Sequence, residues 1–265
     1  MRSSTPLLSR SCGTRPRHAA TERSPTAARG WQVSDLKALS EKLNPIVGYY
    51  NPTPLAEMEF WGQSNEATIG FLRQAEIKHG RVAMAAFVGF ILQSNGVVWP
   101  WAQSFDGTTF ADIAAVGGPG EQWDALATNA KLQIIGMVGF FEWWGENDYA
   151  QKMSGNKHYM RGGKPGVFPS FNKGGIPHPV PLELFDPFGF QKNWTPERKE
   201  KGLLAEINNG RLAMIGIMGF VAESKVPGAV PSLSGLIKPY SGEPMAAFTA
   251  SDNLPFVKEM MGFSI

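Results

Sequence analysis

Fifteen residues of this chain occur twice. Residues 76–90 read EIKHGRVAMAAFVGF and residues 206–220 read EINNGRLAMIGIMGF, with eight identical positions at a constant offset of 130. Each copy sets a Glu and an Arg directly before an apolar run. Charges beside an apolar helix are costly unless each has a partner. Glu76 and Arg81 are five residues apart, hence about 140° around a helix, and only i,i+3 and i,i+4 neighbours face each other. The same holds for Glu206 and Arg211. Each Arg therefore needs a carboxylate from elsewhere. The simplest closed solution is reciprocal: Glu76 with Arg211 and Glu206 with Arg81, across two helices related by a pseudo-twofold axis. The planar guanidinium fork suits such a pair.

Small residues recur with the charges. Gly80, Ala83, Ala86 and Gly89 match Gly210, Ala213, Gly216 and Gly219, and close helix crossing in membranes relies on such positions. The series drifts by about 60° per step, so Gly89 falls opposite Gly80 and grooves open on more than one side of each helix. His79 follows Glu76 by three residues, and Asn209 follows Glu206 in the same way. Each face thus offers two donors of mixed type, too few for a zinc site. Such donors suit separate metals that each need one axial ligand, as magnesium in a tetrapyrrole does.

Three helical segments are expected, at about 71–95, 123–146 and 196–224. Their uninterrupted apolar parts (82–92, 134–141 and 212–222) are shorter than a bilayer crossing requires, so hydropathy alone leaves core helix and membrane span open. Thr195 and Pro196 read as the N-cap and first position of the last helix. The stretch 154–181 is long and Gly/Pro-rich, the kind of connection that carries function or lies over other structure. Charged residues are 18% of the chain, below the usual quarter or so. The formal charge of +2 hides an acidic body, because residues 1–30 hold six Arg against the single acid Glu22. That argues against a nucleic-acid partner. The same thirty residues carry nine Ser/Thr and no apolar core, the composition of an organelle transit peptide or a disordered leader. The one Cys, Cys12, lies there, which leaves 31–265, read as a single domain, without thiol chemistry.

The pattern E-x-x-[HN]-x-R-x-A-M, present twice on the first and third of three helices, resembles the chlorophyll-binding light-harvesting family over about 55–225. The resemblance implies an all-α membrane protein: three transmembrane helices, the first and third crossed as a pseudo-twofold pair, plus short amphipathic helices. It makes Arg81 and Arg211 structural clamps and Glu76, His79, Glu206 and Asn209 ligands of chlorophyll magnesium. On the middle helix, Gln133 and Glu142 resemble ligands to different pigments, being about 180° apart. Glu223 stands where the family usually has Gln as a further ligand. The turn Phe185-Asp186-Pro187-Phe188-Gly189 resembles the motif that seats a carotenoid end group, with Asn51-Pro52-Thr53-Pro54-Leu55 as a degraded counterpart. The middle-helix wording, QIIGMVGFFEWW, is similar to the chlorophyll a/c branch.

The resemblance further implies a non-enzymatic antenna of the plastid thylakoid membrane, multi-pass, with a stromal N-terminus and a lumenal C-terminus. Its implied cofactors are chlorophyll a, chlorophyll c and carotenoids of fucoxanthin, peridinin or diadinoxanthin type, with room for structural lipid. Its implied partners are a photosystem core, photosystem I favoured, neighbouring antenna proteins and membrane lipids. Trp99, Trp101, Trp143 and Trp144 fit interfacial belts, pigment packing or loop hydrophobics. One alternative is a photoprotective relative that senses acid through Glu121, Asp124, Asp252 or Glu259. Another is a pigment-free three-helix transporter or assembly factor, although broken helices are not evident. No phosphate loop or Rossmann fingerprint is present. His158 and His178, in Gly/Pro-rich loops, read as solvent-exposed, with His178 also a candidate for a peripheral pigment.

Overall fold

The computed structural model describes residues 30–171, 186, 188–244, 246–255 and 257. Apart from Gly30, the expected leader lies outside the described residues, as do Pro187, His178 and Glu259. The architecture is helical: α1 Val33–Leu43, α2 Asn65–Ser94, α3 Phe110–Val116, α4 Pro119–Asp124, α5 Thr128–Glu146, α6 Asp148–Met153 and α7 Pro196–Lys225, with short 3-10 turns between them. Among the described residues the one β-type pairing is an isolated bridge between Ala102 and Thr109.

The three long helices are α2, α5 and α7. α2 begins earlier than its apolar pattern because Ser64 caps it, accepting from the Ala67 amide at 3.3 Å. The polar turn Asn65–Glu66 therefore joins the helix. The middle helix begins later than expected, since Pro119 starts the separate helix α4 and the chain breaks again before Thr128. α7 starts at Pro196 with Thr195 accepting from the Arg198 amide at 3.3 Å.

α2 and α7 make the main helix–helix contact and cross at Gly80 and Gly210. A Cβ built on Gly80 would stand 3.1 Å from the Gly210 Cα. Ala83 and Ala213 are buried beside this point. Phe220 stacks on Phe87 and Phe90 further along. Gly89 and Gly219 have nothing within 4 Å of a built Cβ, so the crossing uses one part of the small-residue series and leaves the rest open.

Both ends of the pair are covered. At one end Asn208 donates to the Leu43 carbonyl at 3.2 Å and Lys42 meets Glu200 at 2.8 Å, docking α1 on α7. The connection after α6 lies over α2: the Gly166 amide donates to Gln74 Oε1 at 2.6 Å, and Gly70 lets the Tyr159 carbonyl approach. At the other end Gln122 donates to the Gln93 carbonyl at 3.2 Å, and the Tyr240 amide to that of Ser224 at 2.7 Å. A buried ion pair, Lys131 with Asp252 at 2.9 Å, ties the start of α5 to the C-terminal segment.

No helix among the described residues is long and apolar enough to cross a membrane. Length alone is ample, as thirty residues of α2 or α7 extend about 45 Å. The shortfall is in polarity, and three membrane spans do not follow from hydropathy.

Candidate functional site

The two copies of the repeat face each other across the crossing. Arg81 Nε donates to Glu206 Oε1 at 2.6 Å. Arg211 places Nε and Nη2 on Glu76 Oε1, each at 2.7 Å. Both reciprocal pairs are therefore formed, and each joins α2 to α7. Arg81 has a further acceptor in the Gly166 carbonyl at 2.8 Å, so the loop over α2 straps one of the two pairs. These four side chains are only partly exposed, between 23% and 46%, a setting in which losing one partner leaves a charge poorly solvated.

The ring of His79 is oriented by its own helix. Its Nδ1 lies 2.8 Å from the Ala75 carbonyl, which can only accept, so Nδ1 carries the proton. In the neutral imidazole this leaves Nε2 as the lone-pair nitrogen on an exposed side chain, the form that binds a metal. Asn209 and Gln133 are exposed, with no side-chain hydrogen bond among the described residues. Glu142 reaches Lys78 of α2 and keeps about half of its side chain exposed (56%). Among the described residues no three His, Cys, Asp or Glu converge on one point. The donor set is thus a series of single ligands spread along helices, and it fits magnesium ions that bring their own equatorial nitrogens.

Three sequence candidates have both oxygens engaged, Glu76 taking Arg211 on Oε1 and Arg73 on Oε2. Glu223 is buried and accepts from the Gly228 and Val230 amides at 2.9 and 2.8 Å. It closes the turn after α7 and presents no open face to a pigment. Asp186, at φ 57°, accepts from the Phe190 and Gln191 amides at 2.7 and 2.8 Å. It shapes the turn that displays the exposed rings of Phe188 and Phe190.

Other expectations need correction. His158 is not solvent-exposed: its Nε2 lies 2.9 Å from Glu146 Oε2, its Nδ1 accepts from the Met160 amide at 3.3 Å, and its ring stacks on Tyr159. Trp144 is a core residue rather than part of a belt; it is buried, donates to the Pro169 carbonyl at 3.3 Å and stacks on Phe171. Trp143, Trp99 and Trp101 are exposed, the last two stacked on each other. Among the acidic candidates, Asp252 is unsuited to sensing mild acid. Burial pushes its carboxyl up, but the Thr249 amide, the Lys131 ammonium and the Thr128 hydroxyl outweigh this and hold it at about 2.

The middle helix is the least ordinary part. Leu132, Ile134, Ile135, Met137, Val138, Phe140 and Trp143 are all exposed, and at 100° per residue they leave no gap wider than about 60° around α5. A helix apolar on every side belongs inside something. Yet α5 packs extensively on neither α2 nor α7, and Lys78, which meets Glu142 and Glu146, bridges the space between α5 and α2. Gly136 and Gly139 add open surface. Arg73, which pairs with Glu76, is not among the residues the motif singles out; it lies upstream of the matched stretch, and the residue 130 positions later is Leu203.

A crossed, charge-clamped helix pair with isolated axial donors, beside an apolar helix left uncovered, defines a scaffold for metal-centred pigments. The chain belongs to the chlorophyll A-B binding protein family, whose model matches residues 36–225. It is similar to a fucoxanthin-chlorophyll a-c binding protein of Trieres chinensis, at 28% identity over 71% of this chain and 78% of the relative. A second relative, fucoxanthin-chlorophyll a-c binding protein F of Phaeodactylum tricornutum, is 27% identical over 69% of this chain and 76% of its own. Chlorophyll a-b binding protein 8 of Solanum lycopersicum is 31% identical over a shorter stretch, 63% of this chain and 61% of that protein.

Proposed function

We propose that this chain is a light-harvesting antenna of the chlorophyll a/c type, carrying chlorophyll a, chlorophyll c and a fucoxanthin-type carotenoid in a plastid thylakoid membrane. The observation that carries the reading is α5, apolar around its whole circumference and exposed. Pigments and lipid are the covering it lacks. The bound pigments absorb light and pass excitation onward; the protein sets their spacing, orientation and local polarity. His79 Nε2, the free oxygen of Glu206, Asn209 and Gln133 would hold chlorophyll magnesium, with Glu76 and Glu142 as further donors that share their oxygens with Arg or Lys. Arg81 and Arg211 neutralise the carboxylates that the helices carry into the membrane. On this reading the polarity of α2 and α7 no longer bars a span, because the charges are paired and the donors face metal.

On the same reading the N-terminus lies in the stroma and the C-terminus in the lumen. The chain works beside a photosystem core and other antennae, photosystem I being the first partner to test. The depressed carboxyl of Asp252 removes that residue from the candidate acid sensors. Refolding the full chain with chlorophyll a, chlorophyll c and fucoxanthin tests the proposal. The expected product retains all three through gradient purification and emits from chlorophyll a when chlorophyll c or fucoxanthin is excited. A polypeptide that emerges free of pigment overturns it.

A further inference from the structure

Three residues before each Glu, upstream of the matched stretch, the chain has Arg73 before the first copy and Leu203 before the second. Arg73 is buried, and its guanidinium lies 5.5 Å from the centre of the Trp31 ring. Its Nη1 pairs with Glu76 Oε2, while Arg211 holds Oε1. Both oxygens of Glu76 are therefore engaged by guanidinium groups. Glu206 receives Arg81 on Oε1 alone, and its Oε2 has no hydrogen-bond partner among the described residues. Leu203 is exposed and apolar and offers no donor to that oxygen. The Nε of Arg73 is buried without an acceptor, so the side chain is held by Glu76 and Trp31. The pseudo-twofold pair is thus symmetric in its clamps and asymmetric in what its carboxylates have left to give.

Resting on the antenna reading, we propose that Arg73 is a positioning residue that makes the two carboxylate sites unequal. Glu206 presents an unshared oxygen to magnesium and is the stronger axial ligand. Glu76 must ligate through an oxygen already bonded to a guanidinium, with two positive charges drawing electron density away from the metal. Its pigment is held more weakly and leaves first. Groups that hydrogen-bond a metal ligand commonly change metal affinity about tenfold or more, and Arg73 is such a group.

The test uses the full chain refolded with chlorophyll a, chlorophyll c and fucoxanthin. Difference spectra of Glu76→Ala and Glu206→Ala assign the red absorption band of each site. Stepwise detergent release then gives the order of pigment loss. The wild type is expected to lose the Glu76 pigment first. Leu203→Arg should weaken retention at Glu206 about tenfold and shift its band, while Arg73→Leu should strengthen retention at Glu76. Arg73→Lys, which keeps a charge, should preserve the wild-type order. Leu203 is exposed, so its variant reports even if a change at buried Arg73 impairs folding. Simultaneous release of the two pigments in the wild type, or a Leu203→Arg protein with unchanged band and release, overturns the inequality while leaving the antenna reading intact. A wild type that retains no pigment overturns both.

Discussion

Gly210→Ala tests the crossing directly. A Cβ at Gly210 would lie 2.9 Å from the Gly80 Cα and 3.4 Å from its carbonyl carbon. Both neighbours are backbone, so no side chain can rotate away. Carbon pairs rest at about 3.5–4.0 Å, which requires the helices to part locally by about 0.6–1.1 Å. Overpacking of this kind costs about 1–3 kcal/mol. Ala recovers about 0.5–1 kcal/mol of helix propensity. The net loss is then up to about 2.5 kcal/mol. At about 2–4 °C per kcal/mol for a domain of this size, the refolded complex should melt up to about 10 °C lower. Separation also stretches the two clamps, now at 2.6 and 2.7 Å, toward the limit of useful hydrogen bonding, about 3.2 Å.

The assay is the helical circular dichroism signal followed through a thermal melt. Gly89→Ala is the matched control, being the same change in the same pair with nothing within 4 Å of the new Cβ. It should leave the melting temperature unchanged or raise it. A Gly210→Ala protein that melts at or above the wild type would refute the claim that backbone contact at Gly80 and Gly210 sets the distance between the helices.

Arg81→Leu or Glu206→Ala should cost about 1–3 kcal/mol, since each strands a partly buried partner; the charge-swapped double variant Arg81→Glu, Glu206→Arg should recover part of the loss, and a double variant no better than the singles argues against the pair. His79→Leu should remove one chlorophyll per polypeptide, measured by pigment extraction and chromatography, while the helical content stays unchanged. For Asp252, the folded pKa of about 2 lies below the ordinary carboxyl value of 3.8, so its contribution is complete above about pH 4 and is lost as pH falls toward 2. The stability difference between wild type and Asp252→Asn should accordingly be the same at about pH 7.5 and pH 5, and a difference that shrinks at pH 5 refutes the depressed carboxyl.

The clamp was legible because two independent constraints met in a short motif. The i,i+5 spacing denied each Arg a local carboxylate, and the duplication supplied one elsewhere. The helix count, the cap at Thr195 and the crossing small residues came from the same local chemistry. The boundaries of α2 and α5 did not, because a Ser cap and a Pro-started extra helix outweighed the apolar pattern. Engagement of oxygens was also out of reach. Nothing in the spacing told that Glu223 would fold onto the amides of Gly228 and Val230, since that depends on the turn after the helix. The burial of His158 depended likewise on where a long loop comes to rest. Arg73 was missed for another reason: it lies upstream of the matched stretch, whereas the motif is built from the positions that match.

The hydropathy of the helices and their exposure point to one physical origin. α2 and α7 carry too many charged residues to be ordinary spans, and α5 exposes too much apolar surface to be an ordinary helix in water. Either fact alone suggests a misfit. Together they describe a protein whose solvent is neither water nor lipid alone. On the antenna reading, the charged stretches are quenched in pairs by Arg81 and Arg211, their spare donors turn to metal, and planar rings cover the apolar faces that no side chain meets. Hydropathy counts side chains only, so on the same reading it leaves out the cofactors that complete the core. Pigment and fold are then coupled: α5, tied by Lys131 to Asp252 at one end and bridged to α2 by Lys78, should loosen from the α2–α7 pair when pigments are withheld, while that pair, with its own glycine contact and two clamps, should persist. Hydrogen exchange on the chain with and without pigment would show protection lost in α5 and kept around Gly80 and Gly210; equal loss in both would mean that the crossed pair, too, depends on what it binds.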